Sequence, residues 1–118
     1  MGKTVLIVDD HPSFRASARR MLEAHGYDVV GEAADGGAAV VSAERLRPEI
    51  VLLDVRLPDA DGLDVARSLL RRTVAVPLVV LTSSHDYADL SGAIETSGVC
   101  GFIPKAELTA GALAAMVG

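Results

Sequence analysis

The chain has 118 residues, enough for one domain with a core, and half of it is apolar while only 3% is aromatic, so that core is built from Val, Leu, Ile and Ala. Its 11 Lys and Arg against 16 Asp and Glu give a net charge of −5. This argues against direct nucleic-acid binding by the domain, which rests on clustered positive charge, and suits a cation site or a basic protein partner. The lone cysteine, Cys100, excludes an internal disulfide and reads as a small buried apolar residue. No apolar run approaches the ~18 residues of a membrane span and no signal peptide precedes the first apolar run, so a soluble, cytoplasmic protein without membrane contact is expected.

Residues 4–8 are apolar and β-branched and stop at Asp9-Asp10, which predicts a first strand. Pro12 then opens a helix whose inward face is Phe14, Ala18, Met21 and Leu22, at i, i+4, i+7 and i+8, and Gly26 ends it. A second strand follows over 28–33, a turn at Asp35-Gly36-Gly37, and a second helix over 38–46 that stops before Pro48. Ile50-Val51-Leu52-Leu53-Asp54, bounded by Pro48 and Pro58, reads as a strand buried on both faces. A third helix is expected over 62–72, a fourth strand over 78–81, and a weakly apolar fourth helix over 86–97 with the stripe Leu90, Ala93 and Ile94. A fifth strand over 99–104 and a short last helix over 108–117 complete the chain.

Strand ends near residues 10, 33, 54, 82 and 104 lie more than twenty residues apart. Each gap has room for a helical crossover and imposes parallel pairing. The architecture expected is α/β: a five-stranded parallel sheet in the order 2-1-3-4-5 with helices on both faces, one domain over 1–118. Ligands of such sheets bind beyond the carboxyl ends of the strands, where the strand order reverses. The conspicuous polar groups lie at those ends: Asp9 and Asp10, Asp54, Thr82, Lys105.

Asp is rarely buried unpaired, so Asp54 has no packing reason to end an apolar strand. Three carboxylates gathered at one crevice repel, two unit charges 4 Å apart by about 4 kcal/mol at an effective dielectric near 20. Mg²⁺ relieves this, preferring a few carboxylate oxygens with waters and a phosphate. Lys105 suits a phosphate oxygen and the Thr82 hydroxyl another, so the set reads as a metal-assisted phosphoryl-transfer site with a carboxylate acceptor.

Taken in order, Val5-Leu6-Ile7-Val8-Asp9-Asp10-His11-Pro12, Leu53-Asp54 with Leu57-Pro58 and Asp61-Gly62, the Thr82 strand end, and Phe102-Ile103-Pro104-Lys105 span essentially the whole chain. The chain resembles the receiver domain of two-component response regulators, and the Asp-Asp-His-Pro opening resembles the subfamily with helix-turn-helix output domains. The resemblance implies a flavodoxin-like receiver fold in which Asp54 is the phosphoacceptor for a histidine kinase. It implies Mg²⁺ held by Asp9, Asp10, Asp54 and the backbone carbonyl of Arg56. It further implies Thr82 as the hydroxyl switch residue, Lys105 as the phosphate-pairing lysine and Phe102 as the rotating aromatic. Counting from Pro77 selects Thr82 for the hydroxyl role, while counting back from Lys105 selects Ser83. The surface made by the fourth helix, fifth strand and last helix is the expected switch face and a possible homodimer contact. The expected output is transcription through a missing or separate domain, since none follows Gly118.

Two other readings compete. An aspartyl phosphatase would want a second acid two residues after its nucleophile, where this chain has Arg56. A pseudo-receiver that only binds partners has no need of the complete acid set. The bland alternatives are a solvated Asp54, one of Asp9 and Asp10 as the cap of the Pro12 helix, surface placement for His11, His25 and His85, and turn roles for Asp59 and Asp61.

Overall fold

A computed structural model describes residues 2–71, 76–84, 94 and 97–117. Strands β1 (Thr4–Val8), β2 (Asp28–Ala33), β3 (Ile50–Asp54), β4 (Leu78–Ser83) and β5 (Gly101–Pro104) form one parallel sheet in the order β2-β1-β3-β4-β5. The helices are α1 (Pro12–Ala24), α2 (Gly36–Leu46), α3 (Gly62–Leu70) and α4 (Ala110–Val117), with a 3-10 turn at Lys105–Glu107. The expected strand order is the observed one. The helix expected over 86–97 lies outside the described residues apart from Ile94 and Ser97, and with it the surface it was to share with β5 and the last helix.

Alternation along the strands divides the core in two. Leu6, Val8, Val51, Leu53, Val79 and Leu81 face α2 and α3, meeting Ala39, Ala43, Leu63, Ala66 and Leu69. Val5, Ile7, Ile50, Leu52, Val80 and Ile103 face α1 and α4, meeting Ala18, Leu22, Leu113 and Val117. Strands covered on both faces must be apolar at every position, which is why the sequence shows continuous runs and no alternation.

Several boundaries differ from those expected. α2 starts at Gly36 because its first turn is capped twice: Asp35 Oδ1 accepts from the Ala38 N–H at 2.7 Å, and Asp59 accepts from the N–H groups of Gly36 and Gly37 at 2.7 and 3.0 Å. β4 runs on to Ser83, since Thr82 and Ser83 pair with Ile103 and Pro104. The edge strand β5 begins at Gly101, and α4 begins at Ala110, where Thr109 Oγ1 accepts from the Ala112 N–H at 3.0 Å. α3 ends at Leu70, short of 72. Cys100 is exposed, not buried: it precedes the first residue of the edge strand and belongs to neither packed cluster.

The turn after β3 folds back tightly. The Gly62 N–H donates to the Val55 carbonyl at 2.6 Å, Leu57 N–H to the Ala60 carbonyl at 3.2 Å, and Arg56 bridges Asp61. A Cβ on Gly62 would overlap the Asp54 carbonyl oxygen, so this approach needs glycine. Asp61 then caps α3, accepting from the Leu63 N–H at 2.8 Å.

Candidate functional site

The reversal of strand order between β1 and β3 places the ends of those strands side by side. Side-chain alternation then selects one face. Asp9 follows Val5 and Ile7, Asp54 follows Ile50 and Leu52, Thr82 follows Val80, and Lys105 follows Ile103, all on the α1/α4 side. Asp54 and Thr82 stand directly opposite each other in the β3–β4 ladder. Ser83, one residue on, falls on the opposite pleat.

Asp9 is fully buried and Asp54 is 4% exposed. The Lys105 ammonium lies between them, 2.6 Å from Asp9 Oδ2 and 3.2 Å from Asp54 Oδ2. Asp54 Oδ1 accepts from the Arg56 N–H at 3.2 Å, and the Val55 N–H reaches the Thr82 carbonyl at 2.9 Å, tying the acid's strand end to β4. Burial pushes the Asp54 carboxyl above the usual carboxylate range; the Arg56 N–H opposes this, the Asp9 charge adds to it, and Lys105 opposes it again. Burial acts to lower Lys105, but its contact with Asp9 and the two carboxylate charges outweigh that and hold it above its ordinary value.

Asp10 is more exposed and turns toward solvent. Oxygens of Asp9, Asp10 and Asp54 and Nδ1 of His11 all lie within 4.8 Å of one another. Three hard carboxylates, Asp10 and Asp54 lining an open cleft and Asp9 buried beside them, fit a hard divalent cation. The cleft has a volume of about 290 Å³, with Asp10 and His11 on one side, Arg56, Leu57 and Pro58 on another, and Ser83 and Ser84 completing the wall. The Thr82 hydroxyl is buried and has no hydrogen-bond partner among the described residues, an orphan donor on the Asp54 side of the sheet. Phe102 is half-buried against the α2/α3 side and pairs with Leu81, one level below Thr82.

Several contacts were not legible in the sequence. His11, exposed as expected, also sets Nδ1 3.0 Å from Asp9 Oδ1 and 3.1 Å from Asp10 Oδ1. It occupies the cap position of α1 with no side-chain cap bond, so neither Asp9 nor Asp10 caps that helix; Asp9 Oδ1 accepts from the His11 N–H at 2.8 Å instead. Arg15 Nη1 donates to the Asp9 carbonyl at 2.6 Å while its Nε holds Glu32 at 3.0 Å. Arg19 grips the other Glu32 oxygen at 2.7 Å, and these hydrogen bonds, Arg19's first, hold the Glu32 carboxyl below its ordinary value. Phe14 lies under the Lys105 ammonium, its ring centroid 4.6 Å away. Asp59, expected as a turn residue, is in addition the second cap of α2.

Fold and site together define an open, doubly wound α/β protein with a buried acid pair, a lysine and an orphan hydroxyl at its switch point. Residues 5–117 match the response regulator receiver domain family model. The chain belongs to that family, and is a receiver domain of two-component signal transduction. It is 38% identical over 102 residues to the nitrate/nitrite response regulator protein NarP of Escherichia coli, a match covering 86% of this chain and 47% of NarP. It is 39% identical over 106 residues to a protein-glutamate methylesterase/protein-glutamine glutaminase of Alkalilimnicola ehrlichii, covering 89% of this chain and 27% of that protein. The chain therefore spans less than half the length of these two relatives. Among solved structures, the signal receiver domain of the putative response regulator NarL from Mycobacterium tuberculosis superposes with a TM-score of 0.85 at 34% identity, covering 99% of this chain and 98% of that one. No helix among the described residues is long and apolar enough to cross a membrane.

Proposed function

We propose that Asp54 is the phosphoacceptor of this receiver, that the protein is cytoplasmic, and that a histidine kinase is the donor. What carries the reading is the burial of Asp54 beside Asp9 and Lys105, on the same face as the Thr82 hydroxyl, which has no hydrogen-bond partner among the described residues. An Asp54 carboxylate oxygen attacks phosphorus, the P–N bond of the phosphohistidine breaks, and the imidazole leaves with a proton. The acyl phosphate so formed adds negative charge and acceptor oxygens to the cleft. Asp9, Asp10, Asp54 and the Arg56 backbone carbonyl would hold Mg²⁺, which supplies a Lewis acid for the phosphoryl oxygens. Lys105 leaves the carboxylates for one phosphate oxygen, and Thr82 donates to another. Ser83, on the cleft wall but the opposite pleat, is the rival for that second role.

The response is a shift between two states, bounded by the phosphate's contacts in each. Thr82 moving toward phosphate vacates space at the end of β4 that Phe102 rotates to fill, and the surface of β5 and α4 changes with it. The domain catalyses only its own phosphorylation and dephosphorylation. That surface then controls an output, transcription through a DNA-binding domain, and serves as a homodimer contact; the receiver domain of residues 1–118 makes no nucleic-acid contact itself. The test is phosphotransfer to the wild type and to Asp54→Asn from a phosphorylated histidine kinase with Mg²⁺: transfer to the wild type alone supports the assignment, and equal transfer to both removes it.

A further inference from the structure

Only four aromatic residues occur in the chain, Phe14, Tyr27, Tyr87 and Phe102. One of them, Phe14, lies at the site. It is in the first turn of α1, three residues after His11, and its ring is half-buried against the α1/α4 cluster. That placement alone would make it an ordinary core residue. The ring is also directly under Lys105 Nζ, at 4.6 Å from the centroid. The ammonium thus has three walls: Asp9 at 2.6 Å, Asp54 at 3.2 Å and an aromatic face.

We propose that Phe14 is a positioning residue for Lys105, and that its ring face holds the ammonium over the phosphoacceptor. This deepens, and rests on, the assignment of Asp54 and Lys105 to phosphoryl transfer. A lysine stem has four rotatable carbons, and holding it in one place sacrifices rotamer freedom. The ring quadrupole attracts a cation over its face, more strongly where water is excluded, and Lys105 is only 13% exposed. A leucine would fill most of the same space and repel water equally, but would supply no attraction. Phe14 therefore acts through an electrostatic property that packing volume does not replace. It keeps Lys105 aligned while the carboxylates that now pair with it are drawn to a metal or, at Asp54, converted to an acyl phosphate.

The test is a cycle of wild type, Phe14→Leu, Lys105→Met and the double variant, with Phe14→Tyr as the conservative rescue. Labelling rate with acetyl phosphate and Mg²⁺ is expected to fall on the order of fivefold in Phe14→Leu, the equivalent of about 1 kcal/mol. It is expected to return in Phe14→Tyr, and to be unaffected by Phe14→Leu once Lys105 is Met. An equal fall in both backgrounds, or no fall, overturns the proposal. The same four proteins are unfolded in urea without metal or phosphodonor, where the Phe14–Lys105 coupling is expected to change the unfolding constant by a similar factor; additive effects there overturn it too. Failure of the wild type to label would remove the functional reading, while the unfolding cycle decides the contact independently.

Discussion

Asp54 is held at a disadvantage when the site lacks a metal. Its carboxyl is raised by burial and by Asp9, so the folded protein keeps the proton to a higher pH than the unfolded chain does. Stability from this group is therefore greatest in acid, falls as pH rises from the ordinary value of 3.8 through the raised one, and stays reduced above it. Lys105 has the same sign in a higher window: also raised, from 10.5, it contributes stability that is present below that value and is lost as pH rises through the folded one. A protonated Asp and an Asn are nearly isosteric, so Asp54→Asn should match the metal-free wild type in acid and exceed it in stability by an amount that grows toward neutral pH. Urea unfolding of both proteins at a series of pH values reads this directly. An advantage independent of pH, or a loss at neutral pH, would contradict the account. The residues that carry this chemistry were legible because a carboxylate, hydroxyl or lysine following an apolar run can only be a strand-end group. Phe14 and Arg15 were not, because their contacts cross from α1 to the 3-10 turn after β5 and to the end of β1. Periodicity places them on a helix without saying which strand end lies beneath.

Among the elements, α2 starts earlier than its expected residue, and its ends show why. Asp-Gly-Gly reads locally as a turn. Asp59, 23 residues downstream, satisfies the first two amides of the helix and extends it backward. Those two N–H groups hold the Asp59 carboxyl below its ordinary value. Asp59→Ala should speed amide exchange at Gly36 and Gly37 severalfold and leave the α3 amides unchanged; unchanged exchange at both glycines would show that the cap is idle. At the other end, Arg47 takes φ 47°, ψ 57°, its N–H reaching the Ala43 carbonyl at 2.9 Å. That is the left-handed closing position where glycine escapes the Cβ penalty. Arg47 is exposed, so Arg47→Gly should stabilise the protein by about 0.5–1 kcal/mol after the added freedom of the unfolded chain is counted. A lower urea midpoint would argue against it. The continuous apolar runs marked β1, β2 and β3 at their observed ends, whereas the edge strand did not follow its run. Val99 and Cys100 are apolar in sequence, but pairing on one side only lets the strand begin later.

At the scale of the molecule, parallel pairing was legible through connection lengths, since crossovers of helical length force it, while the order 2-1-3-4-5 came from the common arrangement of five-stranded doubly wound sheets. What composition could not supply is which charge stands between the buried acids. In this structure it is Lys105, shared by Asp9 and Asp54, with Asp10 left facing the cleft. The sheet is then a rigid frame with one adjustable charge at its switch point. Under the proposed function, phosphate on Asp54 would compete at once for that charge and for the Thr82 hydroxyl, which has no hydrogen-bond partner among the described residues, so a single bond would bias two strands together.

The most direct measurement is site-resolved. The wild type is incubated with acetyl phosphate and Mg²⁺, reduced with borohydride, which converts an aspartyl phosphate to homoserine, and mapped by peptide mass spectrometry. Homoserine at position 54, dependent on Mg²⁺ and absent without phosphodonor, is the expected result. An unmodified Asp54 in protein that has gained phosphate, or homoserine at Asp9 or Asp10 instead, would contradict the central claim.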